Sequence, residues 1–267
     1  MTELTIAVGQ MDIALGDPDL NLARVTHLAE QAAALSVDWL VLPELWSTGY
    51  DLKNAGHYAT TTDQGIFAKT AVLARTHHLH MIGSCLSRLG EGRYGNTAVF
   101  WDDHGRILGE YSKIHLFRLM DEHQYLSSGD RLALVETAWG QVGLSICYDL
   151  RFPELFRAYA LSGARIVVVP AEWPHPRLAH WQTLLRARAI ENQMFIIACN
   201  RVGRTGSNTF CGHSAIIDPW GETRIEGGES EDLLVATIDL DQVDAVRRQI
   251  PIFADRQPQL YQLETAV

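Results

Sequence analysis

The feature that most constrains this chain is an alternation of two hydrophobic periods. Leu4–Gln10 reads as a short strand. Asn21–Leu35 then repeats apolar residues at helical spacing (Leu22, Val25, Leu28, Ala29, Ala32), and Val37–Leu42 returns to a continuous apolar strand. The pattern recurs as helix Gly65–His77 with strand His80–Cys85, and as strand Val142–Ile146 with helix Pro153–Leu161 and strand Arg165–Val169. Helix Leu178–Asn192 and strand Phe195–Asn200 complete the series. Such alternation predicts a layered α/β domain, because each helix buries its apolar stripe on a sheet face. Two hairpin patterns interrupt it: Gly95–Trp101 with Arg106–Tyr111, and His213–Asp218 with Glu222–Ile225. They predict antiparallel strands mixed into the sheets. With no linker or low-complexity stretch, residues 1–267 read as one domain, with an extended tail at about Arg247–Val267 that holds Pro251 and Pro258.

Composition narrows the function classes. A net charge of −10 argues against a nucleic-acid or anionic-membrane partner. Apolar runs of about six residues are far short of the ~20 that span a bilayer. No secretory signal is visible in the first ten residues. Cys85, Cys147, Cys199 and Cys211 form no CxxC pair, so neither a zinc knuckle nor a disulfide framework is expected, and free thiols fit a reducing cytoplasm.

Residues just past apolar strands are the first candidates for chemistry, because ligands bind there in α/β folds. Glu44 follows strand Val37–Leu42 beside Trp46, where desolvation would suit a general base. Cys147 stands at a strand-to-helix turn, where backbone N–H groups favour a thiolate and an oxyanion. Lys113 follows a strand pattern and is flanked by apolar residues; a cation there would steady an oxyanion. Each also admits a structural reading: a cap or ion pair for Glu44, a core thiol for Cys147, a snorkelling lysine for Lys113. HExxH, Walker A and GxGxxG motifs are all absent. His77, His78 and His80 cluster at a helix end without forming a metal-ligand face.

Val41–Glu44, Tyr111–Leu116 and Ile146–Glu154 together resemble the nitrilase superfamily of carbon–nitrogen hydrolases, with Glu, Lys and Cys in that family's order. The similarity extends through Pro170–Pro174, Arg186–Asn192, Gly212–Ser214, Asp218–Gly221 and Ile250–Phe253, nearly the whole chain. The resemblance implies a four-layer α-β-β-α sandwich and a homodimer or larger homo-oligomer, formed through the face that carries the Cys147 helix. It implies Glu44, Lys113 and Cys147 as catalytic residues, with Glu122 as a second glutamate. It also implies a thioester mechanism, with Lys113 and the Tyr148 N–H holding the oxyanion, and no metal or organic cofactor.

Within the superfamily, Cys147-Tyr148-Asp149 departs from the Cys-Trp-Glu of true nitrilases, and Leu150 stands where N-carbamoyl-amino-acid hydrolases tend to carry an arginine. The length argues against a fused synthetase domain, and the presence of all three catalytic types against a non-catalytic binding homologue. Cys147–Glu154, Ala171–Pro174 and Arg177–Trp181 are similar to the omega-amidase-like group, which acts on small carboxylate-bearing amides. Such a substrate needs a cation. Arg177 is the candidate, with Trp46, Tyr50, Tyr148 and Trp173 shaping the pocket. Arg151, Arg186 and Arg188 are expected to pair with Glu154 and Glu191 as supports.

Overall fold

A computed structural model describes residues 2–261. The first half of the chain builds one six-stranded sheet. Strand β1 (Glu3–Gln10) leads through helix α1 (Pro18–Ala34) to β2 (Trp39–Val41). The short α2 (Ala55–Tyr58) and then α3 (Gly65–His77) lead to β3 (His80–Gly90), β4 (Arg93–Trp101) and β5 (Ile107–Ser112). After the one-turn helix α4 (Glu122–Tyr125), a second sheet forms from β6 (Leu134–Thr137), β7 (Gly140–Leu144), α5 (Pro153–Leu161), β8 (Ile166–Ala171), α6 (Leu178–Asn192) and β9 (Phe195–Asn200). A small hairpin, β10 (Arg204–Thr205) and β11 (Asn208–Thr209), precedes β12 (Ala215–Ile217) and β13 (Thr223–Glu226). Strand β14 (Asp232–Asp239) returns to the first sheet, and α7 (Asp241–Gln249) and α8 (Ile252–Asp255) follow it.

The strand orders are β14-β1-β2-β3-β4-β5 and β13-β12-β9-β8-β7-β6. In each sheet a parallel centre is flanked by antiparallel strands: β1–β2–β3 parallel in the first, β7–β8–β9 in the second. The parallel strands come from βαβ units; the antiparallel β4–β5 and β12–β13 pairs are the hairpins the sequence patterns predict, while β14 reaches β1 and β12 reaches β9 by longer connections.

Period-two burial sets the layers. In the first sheet Leu4, Ile6, Val8, Trp39 and Val41 join a core shared with Val142, Leu144, Ile166 and Val168 of the second. Their neighbours Ala7, Leu40 and Met81 face the other way, against Val25 and Ala29 of α1 and Phe67 and Ala74 of α3. Helices α5 and α6 supply Leu155, Phe156, Leu185 and Ala189 to the second sheet. Trp139, in the turn between β6 and β7, packs edge-on to Trp39 at 5.6 Å and donates its indole N–H to the Glu3 carbonyl at 2.9 Å. The result is two sheets face to face between helical layers, the expected α-β-β-α arrangement.

The tail departs from expectation. Arg247–Gln249 belong to helix α7 and Ile252–Asp255 to α8, so part of the described stretch, residues 247–261, is helical where an extended course was predicted. Val243 and Val246, one helical turn apart, bury the inner side of α7, and Arg247 donates to the carbonyl of Ala164 at 2.7 Å. Residues 262–267 of the predicted tail lie outside the described residues.

Candidate active site

Four strand ends, two from each sheet, converge on one buried cluster. Past β2 the chain turns at Leu45, which takes a left-handed φ of 44°, and aims Glu44 inward, where it is fully buried. Glu44 Oε1 accepts from Lys113 Nζ at 2.7 Å, Asn96 Nδ2 at 2.8 Å and Tyr50 Oη at 3.0 Å. Its other oxygen accepts from the Glu172 backbone N–H at 2.9 Å, just past β8 of the second sheet. Oε1 is thereby fully occupied, while Oε2 is held by a single backbone bond and keeps a lone pair free to take a proton.

Lys113 directly follows β5, and its N–H donates to the Asn96 carbonyl on β4 at 2.9 Å. The return loop closes on it: Gly129 donates to the Lys113 carbonyl at 2.9 Å. A Cβ at position 129 would lie 2.0 Å from the Ser112 carbonyl oxygen, so only glycine permits that approach. Nζ is bonded to Glu44 and, at 2.6 Å, to Glu122 Oε1. Glu122 opens α4; its Oε2 accepts from the Phe117 N–H at 2.6 Å and its Oε1 from Tyr50 at 2.6 Å.

The electrostatics follow from one ammonium shared by two carboxylates. Burial disfavours the charged lysine, but Glu122 and Glu44 outweigh it and hold the Lys113 ammonium well above its usual range. Burial raises Glu122, opposed by Lys113 and reinforced by Glu44. Tyr50 has one hydroxyl proton and two carboxylate acceptors, so it serves one at a time. Burial and then the two glutamates push its phenol well up.

Cys147 sits at the tip of the turn after β7 with φ 45°, a strained conformation for a residue with a side chain. Asp149 holds that turn. Its Oδ2 accepts from the Ile146 N–H and the Tyr111 hydroxyl, both at 2.8 Å, and its Oδ1 lies 2.7 Å from His115 Nδ1. Burial raises the Cys147 thiol first and Glu44 adds to it, against Lys113, so the resting group is a thiol that needs a base.

A narrow cleft beside Cys147 is walled by Tyr148, Trp173 and Phe117, with Arg151 and Arg177 at its sides. Arg151 lies 4.8 Å from the Trp173 ring centre and Arg177 5.5 Å from that of Phe117. Tyr148, Trp173 and Arg177 all line this cleft. Tyr50 lies instead within the carboxylate cluster. Trp46 does not line the cleft: it is buried in the core between the first sheet and helices α1 and α3. The left-handed turn at Leu45, between the two, breaks the strand geometry that would put positions 44 and 46 on one face. Arg188 pairs with Glu191 at 2.9 Å as expected, but Arg186 reaches Glu226, and Arg151 faces the cleft and His180 rather than Glu154.

Sequence reasoning missed Asn96, Asp149 and Glu172. The Asp two residues past Cys147 is the one with a readable signal, a side chain able to accept from the turn's own backbone.

Residues 5–248 match the carbon-nitrogen hydrolase family model. The chain belongs to the carbon–nitrogen hydrolase family. It is 44% identical over 258 residues to the 2-oxoglutaramate amidase of Bacillus subtilis (strain 168), covering 96% of this chain and 99% of that one. Among solved structures, a CN-hydrolase superfamily protein from Xanthomonas campestris with an arsenic adduct in its active site superposes with a TM-score of 0.90 at 30% identity, covering 96% and 98% of the two chains. A variant of the amidase from Nesterenkonia sp. AN1, carrying acrylamide added to its active-site cysteine, gives 0.83 at 27% identity, covering 94% and 95%. Family and relatives together make this chain an amidohydrolase.

Proposed function

We propose that the protein is an omega-amidase: it hydrolyses the terminal carboxamide of a short 2-oxo dicarboxylate monoamide, such as 2-oxoglutaramate or 2-oxosuccinamate, releasing ammonia. The observation that carries this reading is a cleft that joins Cys147, beside the buried Glu44–Lys113–Glu122 cluster, to the guanidinium of Arg177. The likeness to the 2-oxoglutaramate amidase supports it.

In this reading Glu44 takes the Cys147 thiol proton as the sulfur attacks the carboxamide carbon. Lys113 and the Tyr148 N–H hold the oxyanion of the tetrahedral intermediate. As the C–N bond breaks, Glu44 gives the proton to the departing nitrogen and ammonia leaves, with a thioester on Cys147. Glu44 then takes a proton from water, whose oxygen adds to the thioester carbon. The C–S bond breaks, the sulfur recovers the proton, and the carboxylate product leaves. Glu122 positions Lys113 and the substrate amide. Arg177 pairs with the free carboxylate.

The same reading places the chain in the cytoplasm as one domain with a homodimeric assembly. Free thiols at all four cysteines accord with a reducing compartment, and no described helix is long and apolar enough to cross a membrane. Leu161 and Ile190, half exposed on α5 and α6, support pairing through that face.

The test is ammonia release from 2-oxoglutaramate, 2-oxosuccinamate, glutamine, N-carbamoyl amino acids and an aliphatic nitrile, with Cys147→Ala beside the native chain. Turnover of the 2-oxo amides that depends on Cys147 is the expected result. Preference for carbamoyl compounds would overturn the substrate assignment.

A further inference from the structure

Glu172, just past β8, is a charged-type residue that the mechanism above does not use. It is 1% exposed and lines the cleft with Cys147. Its Oε2 accepts from Arg201 Nη1 at 3.0 Å, while Oε1 is buried without any hydrogen-bond partner. A buried acid oxygen left bare costs about 1–3 kcal/mol, so such an atom at a substrate cleft marks a contact that the bound ligand completes. Gly49 packs beside it: a Cβ there would touch Oε1 at an ordinary 3.5 Å, and the φ of 58° favours glycine at that position.

We propose that Glu172 is a specificity-determining residue that donates a hydrogen bond from Oε1 to an acceptor oxygen on the acyl portion of the substrate. With Oε2 taken by Arg201, Oε1 is the oxygen left to carry a proton. Arg201, fully buried, occupies Oε2, but its charge is divided: it also donates to Asp12 at 2.7 Å and to the Ile13 carbonyl at 2.8 Å. Glu44 sits against the Glu172 backbone, with Lys113, Tyr50 and Glu122 behind it. On the cleft side stand the Cys147 thiol, Arg151 and Arg177. Burial raises the Glu172 carboxyl to about 8, against Arg201 and with Glu44. The neutral acid therefore prevails at pH 7 and gives way to the carboxylate above pH 8. An ionised Glu172 would repel a carboxylate or 2-oxo oxygen that the neutral acid binds.

The proposal rests on the amidase reading only in taking the ligand to be an acyl compound that reacts at Cys147. It is tested by alkylation of Cys147, which requires no turnover. Iodoacetate and iodoacetamide share the thiol chemistry and differ in the charge they bring to the cleft, so the ratio of their rates cancels the ionisation of Cys147 itself. In the native chain that ratio falls about tenfold between pH 7 and pH 9.5, as expected for a group titrating near 8. In Glu172→Gln, or Glu172→Asn as the second variant, it stays flat. A ratio that is flat in the native chain, or that falls equally in the variants, overturns the proposal. For 2-oxoglutaramate the same transition appears as a rise of KM above pH 8 in the native chain that Glu172→Gln removes. A chain that turns over no 2-oxo amide yet keeps the alkylation profile refutes the substrate and leaves Glu172 in place.

Discussion

The Glu172 N–H donates to Glu44 Oε2 at 2.9 Å, so the backbone of the second sheet fixes the orientation of a carboxylate supplied by the first. The group assigned as base is thereby aligned by sheet-to-sheet packing. Cys147, from the second sheet, and Lys113, from the first, meet under the same constraint.

Removing the nucleophile should separate chemistry from folding. Cys147→Ala is expected to lower ammonia release by at least about 10³-fold while the thermal midpoint stays within a few degrees, since one small buried atom is lost. Steady-state assays beside thermal unfolding check both halves.

Lys113→Met should cost stability as well as activity. It leaves Glu44 and Glu122 buried without their shared cation, a loss of about 3–5 kcal/mol. Urea unfolding measures it, and adding Glu122→Gln should recover part of the loss because one uncompensated carboxylate disappears.

Glu122→Gln keeps an oxygen for the Phe117 N–H but weakens the hold on Lys113. Its kcat should fall by about 10²-fold with the fold intact. Native turnover in this variant would remove Glu122 from the mechanism.

Arg177→Met should raise KM for carboxylate-bearing amides by about 10- to 100-fold, the worth of a charge-assisted hydrogen bond, and leave neutral amides little changed. An equal rise for both classes would assign Arg177 to packing on Phe117.

Glu172 gives a pH dependence of stability with a definite sign. Its carboxyl rises from 4.5 to about 8 on folding, so between those values the folded chain binds more protons than the unfolded one. Its contribution is complete below about pH 4.5 and is lost as pH rises through 8. Relative to Glu172→Gln, the native chain should therefore lose several kcal/mol of unfolding free energy between pH 5 and pH 9, read from urea midpoints.

The order of β and α elements was readable because each βαβ unit announces itself by a change of hydrophobic period. Strand β14 was not: Asp232–Asp239 pairs with β1 over eight residues, yet Leu233, Leu234 and Val235 run together without the alternation of a half-buried strand. Helix α7 was hidden by the prolines after it. At the site, Glu44, Lys113 and Cys147 stood out as polar residues at the ends of apolar strands. Tyr50 was named for its shape, but its position between Glu44 and Glu122, donating to one or the other, depends on a fold-back no local pattern records. Glu172 escaped for the same reason: the Arg201 that pairs with it lies 29 residues on, at the end of another strand.

The pairing of Glu3 with Asp239 also governs when the protein can be finished. During synthesis β1 emerges more than 200 residues ahead of β14 and must wait, with one edge bare, until Asp239 has left the ribosome. Chains halted anywhere in the second sheet expose a flat apolar template, so this protein is expected to burden chaperones far more as a truncated fragment than as a complete product.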